Sequence, residues 1–278
     1  MRRTSTTEPD LAGLRAFLPG RIDLLAFGMG VPLLEHVGAL PDPDDLGAAV
    51  TAERQRLAQP GRFNEEQAIL DGAASERGGR IVLPYRHVEY AVISALRAAG
   101  RAPFVLSASV LLVCGERRQV FVQRRSAFCD AAAGLLHTVS GAQKHPIGGD
   151  PGLALLETAR REVQEETGCE IRGDDVPYAL VAERMATSYQ FILLGAPVSP
   201  EQLASMRASV EGAIVAIDFD DLPAMLARPH EWAATGYFHV LLWLATLDGE
   251  ARFAGRSASD VLAGALVAGR TASWRTYY

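Results

Sequence analysis

The chain has 278 residues, 49% apolar and 22% charged, a composition that fits a folded globular protein and excludes a disordered one. A formal net charge of −6 argues against general binding to nucleic-acid polymers, which needs clustered Lys and Arg, but leaves a small nucleotide open as a partner. Cys114, Cys129 and Cys169 are widely spaced and odd in number, so they fit neither a disulfide framework nor a zinc-ligand spacing.

Arg2-Arg3 is followed by Glu8, Pro9 and Asp10, where a secretory signal would need an apolar run. The apolar stretch 240–245 falls far short of the roughly 20 residues that span a bilayer. Both features predict a cytoplasmic protein with no membrane partner. Residues 10–18 and 45–57 read as helices; Leu46, Ala49, Val50 and Leu57 recur at helical intervals after Pro41-Asp42-Pro43. Between them, 24–31 sets Gly28 and Gly30 in an apolar run, a short strand or a loop under the core. Residues 59–64 are turn-rich. Two strands are predicted at 67–70 and 80–84 around the polar hairpin 71–79. A helix over 85–99 follows, with Gly100 just past its end.

From Pro103 the pattern is mixed α/β. A long β-favouring run, 104–114, turns at Gly115-Glu116-Arg117-Arg118 and returns over 119–123, with Val120 and Val122 on one face. Arg124-Arg125 close that hairpin. Then come a short strand (135–140), a Gly- and Pro-rich loop (141–152) and a helix (153–167). Strands at 178–184 and 189–194, a helix at 200–207, a strand at 214–219, and helices at 222–227 and 232–247 complete the pattern. The tail from Ala251 is Ala- and Gly-rich, and its aromatic end, Trp274 to Tyr278, is expected to dock on the fold. The organisation is read as an accessory α/β region at 1–100, a main domain at 101–250 and a tail at 251–278.

The chemistry concentrates in Arg161-Glu162-Val163-Gln164-Glu165-Glu166-Thr167-Gly168. At 100° per residue, Glu162 and Glu166 lie one turn apart on one face with Glu165 beside them, while Leu156, Ala159 and Val163 form a neighbouring core stripe. Like charges at this spacing repel, and the C-terminal half of a helix disfavours anions. A hard divalent cation is the natural counterweight, Mg²⁺ or Mn²⁺, which takes carboxylate oxygens and shares its shell with phosphates. A solvated acidic face balanced by Arg160 and Arg161 is the alternative reading of the spacing alone.

This octapeptide is similar to the second half of the Nudix signature, G-x5-E-x7-R-E-U-x-E-E-x-G-U, with Pro151-Gly152 just ahead of the position of the signature's first Glu. The likeness extends over about residues 103–247, and its specificity sits in the octapeptide. It implies a Nudix-type mixed sheet sandwiched between helices. Three positions depart: Leu153 replaces the first Glu, Ile147 stands where Gly is expected, and Cys169 takes the last aliphatic place. If Gly141 is the counterpart of that Gly, the loop is longer by six residues. The first Glu usually supports the loop rather than binding metal, so its loss touches anchoring more than chemistry.

The resemblance implies hydrolysis of a nucleoside diphosphate linked to another moiety, a nucleotide sugar or an ADP-ribose-like compound. Glu162, Glu165 and Glu166 are the expected metal ligands, with Glu162 and Glu165 also placed to orient the attacking water. Arg161 pairs with a carboxylate and holds the helix, and Gly168 ends it. Glu211 is the first choice for a further acid from outside the box and Glu183 the second. Arg124 and Arg125 are candidates for substrate phosphates. Residues 1–100 are expected to contribute to substrate choice, to contacts in a homodimer, or to both. A non-catalytic nucleotide-binding regulatory module on the same fold is the competing reading, favoured by Leu153. Isomerase chemistry on this fold would need a catalytic Cys in its own motif, which none of the three cysteines occupies.

Overall fold

Apolar runs rich in Val, Ile and Leu build one mixed sheet in a computed structural model, which describes residues 11–18, 20–28, 30–59, 64–127, 129, 132–173, 175–184, 186–247 and 250–274. Asp10, the turn residues 60–63 with Phe63, and 275–278 lie outside these. The N-terminal third holds α1 (Ala12–Arg15), β1 (Ile22–Gly28), β2 (Leu33–Ala39), α2 (Gly47–Leu57), β3 (Glu66–Leu70), β4 (Ser75–Arg77), β5 (Arg80–Glu89) and α3 (Tyr90–Ala98). Next come β6 (Val105–Cys114), β7 (Gln119–Arg125), β8 (Leu136–His137), β9 (Val139–Ala142), α4 (Ala154–Thr167), β10 (Tyr178–Glu183) and β11 (Ser188–Pro197). The rest is α5 (Pro200–Ser205), β12 (Gly212–Asp218), α6 (Leu222–Leu226), α7 (Ala234–Ala245), β13 (Arg252–Phe253), β14 (Arg256–Ser257) and α8 (Ala258–Arg270).

β6 is the spine. It runs parallel to β11 and antiparallel to β7 at its far end and to β9 at its near end, and touches β3 at Val105. Because β6 is central, both of its faces are buried. Leu106, Ala108, Val110 and Leu112 pack with Leu155, Leu156, Ala159 and Val163 of α4. Leu111 and Val113 pack on the other side with Phe238, Leu241 and Leu242 of α7. The mixed sheet is thus sandwiched between α4 and α7, as expected.

The first hundred residues extend this sheet at both edges. β1 pairs with β10, and β3, β5 and β2 continue the sheet beyond β6. A third core of Val50, Ile69, Val88, Val92, Ile93 and Leu96 lies under α2 and α3. At the other end α8 packs on α7, where the Tyr237 hydroxyl lies within hydrogen-bond distance of Leu226 O at 2.8 Å and Ala265 O at 2.7 Å, donating to one of them. Trp274 is buried there with its indole N–H on Gly269 O. No helix among the described residues is long and apolar enough to cross a membrane.

Three local expectations are corrected. Residues 85–89 are extended rather than helical, because Tyr85 to Glu89 pair with β3 on one side and Tyr85 to His87 with β2 on the other. The helix begins at Tyr90, where the Asn64 side chain accepts the Ala91 N–H at 2.8 Å. It ends as read, at Gly100 with φ 71°. The polar hairpin contains its own strand, β4, and the strand β2 and helix α8 were not anticipated.

Candidate active site

The helix α4 starts without a side-chain cap at Leu153, whose side chain is 40% exposed. The turn before it is closed locally, since Gly152 N–H donates to the Asp150 carboxylate at 2.7 Å. It is also tied from the N-terminal strands. Arg80 donates to Gly152 O at 2.9 Å and Val31 O at 3.0 Å, and Leu34 N–H donates to Pro151 O at 3.2 Å. Further back, Ala68 N–H reaches Gln143 O and His145 N–H reaches Glu66 O. At its far end the helix stops at Gly168, whose φ of 77° is a left-handed cap that glycine adopts without strain.

Glu162 and Glu166 face inward at 7% and 3% exposure, and Glu165 stands at the rim with its side chain 55% exposed. Glu162 rests directly on Gly141 of β9: a Cβ at that position would lie 2.0 Å from the Glu162 carboxyl carbon. The missing side chain of Gly141 is therefore the space that the carboxylate occupies. That contact makes Gly141, not Ile147, the glycine facing the box, with the longer loop between them. Arg161 donates to Glu162 Oε1 at 2.6 Å and to Ala142 O at 3.1 Å, which pins the helix to β9.

Glu166 accepts a hydrogen bond from Gln123 Nε2 at 3.0 Å, and among the described residues its other oxygen receives no N–H or O–H donor and faces the carboxylate of Glu211. Burial, then the neighbouring Glu211 and Glu162, push its carboxyl up to about 9, with Arg125 opposing. A hydrogen bond with Glu211 contributes to the same shift, so the two side chains touch. Glu162 is raised chiefly by burial, with Arg161 opposing and Glu165 and Glu211 adding. The Glu211 backbone is fixed by Ser126 N–H at 2.7 Å and Cys129 Sγ at 3.1 Å on its carbonyl. The structure thus gathers Glu162, Glu165, Glu166 and Glu211.

Strand alternation separates the two arginines. Phe121 packs in the core on the α4 side, and Gln123 and Arg125 follow it at two-residue steps, which explains why Arg125 acts on Glu166. Arg124 points the other way, donating to Gly134 O at 3.0 Å and lying 3.7 Å from Glu231. Glu183 is not part of the cluster. It is 1% exposed on the α7 side, hydrogen-bonded by Gln190 Nε2 at 3.2 Å and in contact with Thr235, and burial raises it to about 8. His137 and His239 are buried in the same layer, bonded to Thr235 at 3.1 Å and Thr138 at 2.6 Å, and burial holds both below the usual imidazole range.

The donor set fits a divalent cation. Glu162, Glu165, Glu166 and Glu211 act on one another electrostatically, opposed by Arg125 and Arg161, and a buried Glu166 oxygen receives no hydrogen-bond donor among the described residues. Such an oxygen costs free energy unless a proton or a cation takes it. Oxygen-only ligands suit Mg²⁺ or Mn²⁺ rather than a softer metal. Gln123 and Arg80 went unread as contributors to the site. Gln123 had a visible signal, a polar residue at an inward position of the strand Gln119–Arg125. Arg80 had none.

The family model of the NUDIX domain matches residues 103–237. No curated protein matches the sequence. Among solved structures, a MutT protein from Methanosarcina mazei Go1 is 19% identical over 50% of this chain and 92% of its own, with a TM-score of 0.36. A NUDIX hydrolase from Nitrosomonas europaea is 14% identical over 44% and 76%, TM-score 0.31. A bifunctional NMN adenylyltransferase/ADP ribose pyrophosphatase from Francisella tularensis is 13% identical over 44% and 37%, TM-score 0.28.

Proposed function

We propose that this chain, which carries a Nudix domain over residues 103–237, hydrolyses the pyrophosphate bond of a nucleoside diphosphate joined to another moiety. Glu162, Glu165, Glu166 and Glu211 are the residues that would hold Mg²⁺ or Mn²⁺. The supporting observation is that Glu211 acts on both buried acids, Glu162 and Glu166, and that one buried Glu166 oxygen receives no donor among the described residues. When bound, the cation neutralises phosphate charge and makes water more acidic.

The chain's own residues do the positioning. Gln123 fixes one oxygen of Glu166 and so aims the other into the cluster. Gly141 yields the space for Glu162, and Arg161 locks that carboxylate against β9. Arg125, on the cluster's side of β7, is the guanidinium that meets a substrate phosphate in a bidentate fork. Arg124 serves the strand end instead. The water oxygen attacks one phosphorus, and the bond from that phosphorus to the bridging oxygen breaks. The bridging oxygen leaves on the second phosphoryl group, and the water proton passes to an exposed carboxylate, Glu165 or Glu211. Two phosphate monoesters result.

Leu153 favours the second reading, a nucleotide-binding module without turnover. The bonds from Arg80, Leu34, Ala68 and Glu66 supply loop anchoring that this position does not, which supports catalysis. The deciding experiment incubates the protein with Mg²⁺ or Mn²⁺ and nucleotide sugars, ADP-ribose, dinucleotides and nucleoside triphosphates, beside a Glu165→Gln/Glu166→Gln variant. Metal-dependent monophosphate release by the parent alone is expected. No product from any substrate, with equal ligand binding by both proteins, overturns the hydrolase in favour of the binding module.

A further inference from the structure

Outside the carboxylate cluster, three imidazoles from distant parts of the chain meet. His36 is on β2, His87 on β5, and His145 in the loop between β9 and α4. One ring nitrogen from each lies within 4.8 Å of the others. His36 Nε2 and His87 Nδ1 are 2.8 Å apart, and the His87 and His145 rings stack at 4.1 Å between centroids. The His36 and His145 rings are 4.9 Å apart. All three are exposed or half-buried, so an ion from solution reaches them.

We propose that His36, His87 and His145 form a transition-metal site, for Zn²⁺ in the first instance, that clamps the N-terminal strands to the loop before α4. The ligand chemistry selects the class: three neutral imidazoles suit Zn²⁺, Cu²⁺ or Ni²⁺, whereas Mg²⁺ and Ca²⁺ want oxygen. Zn–N bonds of about 2.0–2.1 Å in a tetrahedral shell put nitrogens roughly 3.3 Å apart. One pair of nitrogens is 2.8 Å apart and all three lie within 4.8 Å, so a metal shell needs the near-parallel His87 and His145 rings to turn toward a common point. An outer partner is within reach too: the Tyr85 hydroxyl lies 3.4 Å from His145 Nδ1. Three protein ligands leave one position for water.

The loop's length gives this site its independent support. Gly141 meets Glu162, so the segment from Gly141 to Leu153 exceeds the signature spacing by six residues, and His145 lies within that segment. The lengthened loop pairs with β3 through Ala68, Glu66 and a Gln67–Lys144 bridge, which carries His145 across to β2 and β5. Thr158 and Arg161 of α4 bond Gln143 and Ala142, so the clamp connects to the helix.

The test uses the full chain in the Glu165→Gln/Glu166→Gln background, which weakens the carboxylate cluster as a competing site, after stripping with a chelator. Co²⁺ is the spectroscopic probe and Zn²⁺ is titrated by calorimetry. One equivalent of Co²⁺ with the visible ligand-field bands of a low-coordinate nitrogen site is expected, displaced by Zn²⁺. Near-saturating Zn²⁺ should raise Tm by about 5 °C, the expected scale for a single-site ligand in large excess. His87→Gln and His145→Gln should each weaken binding about 100-fold, and Tyr85→Phe about tenfold. Far-UV circular dichroism and Tm in chelator report whether the variants are folded. Absence of saturable uptake, or uptake unchanged in both histidine variants, leaves a hydrogen-bonded histidine pair only and overturns the site.

Discussion

Glu166→Gln should make the cation-free protein more stable while destroying its response to Mg²⁺. The Glu166 carboxyl is 3% exposed and titrates at about 9 in the fold, against 4.5 in a free side chain. The folded chain therefore keeps a proton that the unfolded chain has lost, and stability falls as pH rises from 4.5 towards about 9. At neutral pH the window already crossed is about 2.5 units, or on the order of 3 kcal/mol at ~1.4 kcal/mol per unit. Glutamine carries no such penalty. Its oxygen can accept from Gln123 and its amide can donate to Glu211, so the hydrogen bonds of the protonated acid are kept. For a chain of this size, about 3 kcal/mol corresponds to a Tm rise of roughly 6–12 °C.

Thermal unfolding in chelator, at about pH 5 and about pH 8, checks this against the window above. The gain should be small at the acid end and larger than the neutral value at the alkaline end. In millimolar Mg²⁺ the parent should recover the difference, because the cation takes the oxygen that otherwise needs a proton, while the variant should not respond. A variant no more stable than the parent at the alkaline pH in chelator, or a gain independent of pH, refutes the reasoning.

Three further outcomes follow from the same geometry. Gly141→Ala forces a methyl to within 2.0 Å of the Glu162 carboxyl carbon, so kcat/KM should fall about 100-fold and stability by about 1–3 kcal/mol, read by steady-state kinetics and denaturant melts. Arg125→Ala should lower kcat/KM about 10- to 100-fold, the worth of charge-assisted bonds to phosphate, while Arg124→Ala should stay within about threefold; equal losses would contradict the strand alternation. Glu183→Gln should also stabilise the chain as pH rises from 4.5 through about 8, since burial raises this acid as well. Unlike the gain at Glu166, that gain should persist in Mg²⁺, with hydrolysis within about threefold of the parent.

What was legible in the chain depended on how local the cause was. The helix α4 announces itself because its carboxylates and its Gly168 cap act within one turn of each other. Glu211 and Glu183 looked alike as lone acids, and only the sheet decides between them: β12 pairs with β7 beside Gln123, whereas Glu183 ends β10 on the α7 side. Tyr85, Val88 and Val92 fall at helical spacing, yet pairing with β2 and β3 holds Tyr85 to Glu89 extended. Tertiary hydrogen bonding overrode the period. The strand β2 carries no clear alternation in the sequence, because an irregularity between His36 and Gly38 breaks it. Its neighbour in that respect, α8, is weakly patterned, although Ser257 and Asp260 form a capping box that can be read from their spacing.

The two departures from the signature that lie in the loop, Leu153 and the six added residues, have one structural explanation. A carboxylate at position 153 would have to fasten the loop from the helix side. Here the fastening comes from the N-terminal strands: Arg80 and Leu34 hold Gly152 and Pro151, and β3 holds the loop at Gln143 and His145. Both ends of the loop are tied to strands, and Leu153 is among the large apolar side chains left exposed. The N-terminal strands and the lengthened loop are therefore coupled. Restoring Leu153→Glu should change stability by no more than about 0.5 kcal/mol, whereas Arg80→Ala should loosen the loop, raise amide exchange at 141–153 and lower kcat. If Arg80→Ala left exchange in that segment unchanged, the anchoring would have to be sought elsewhere.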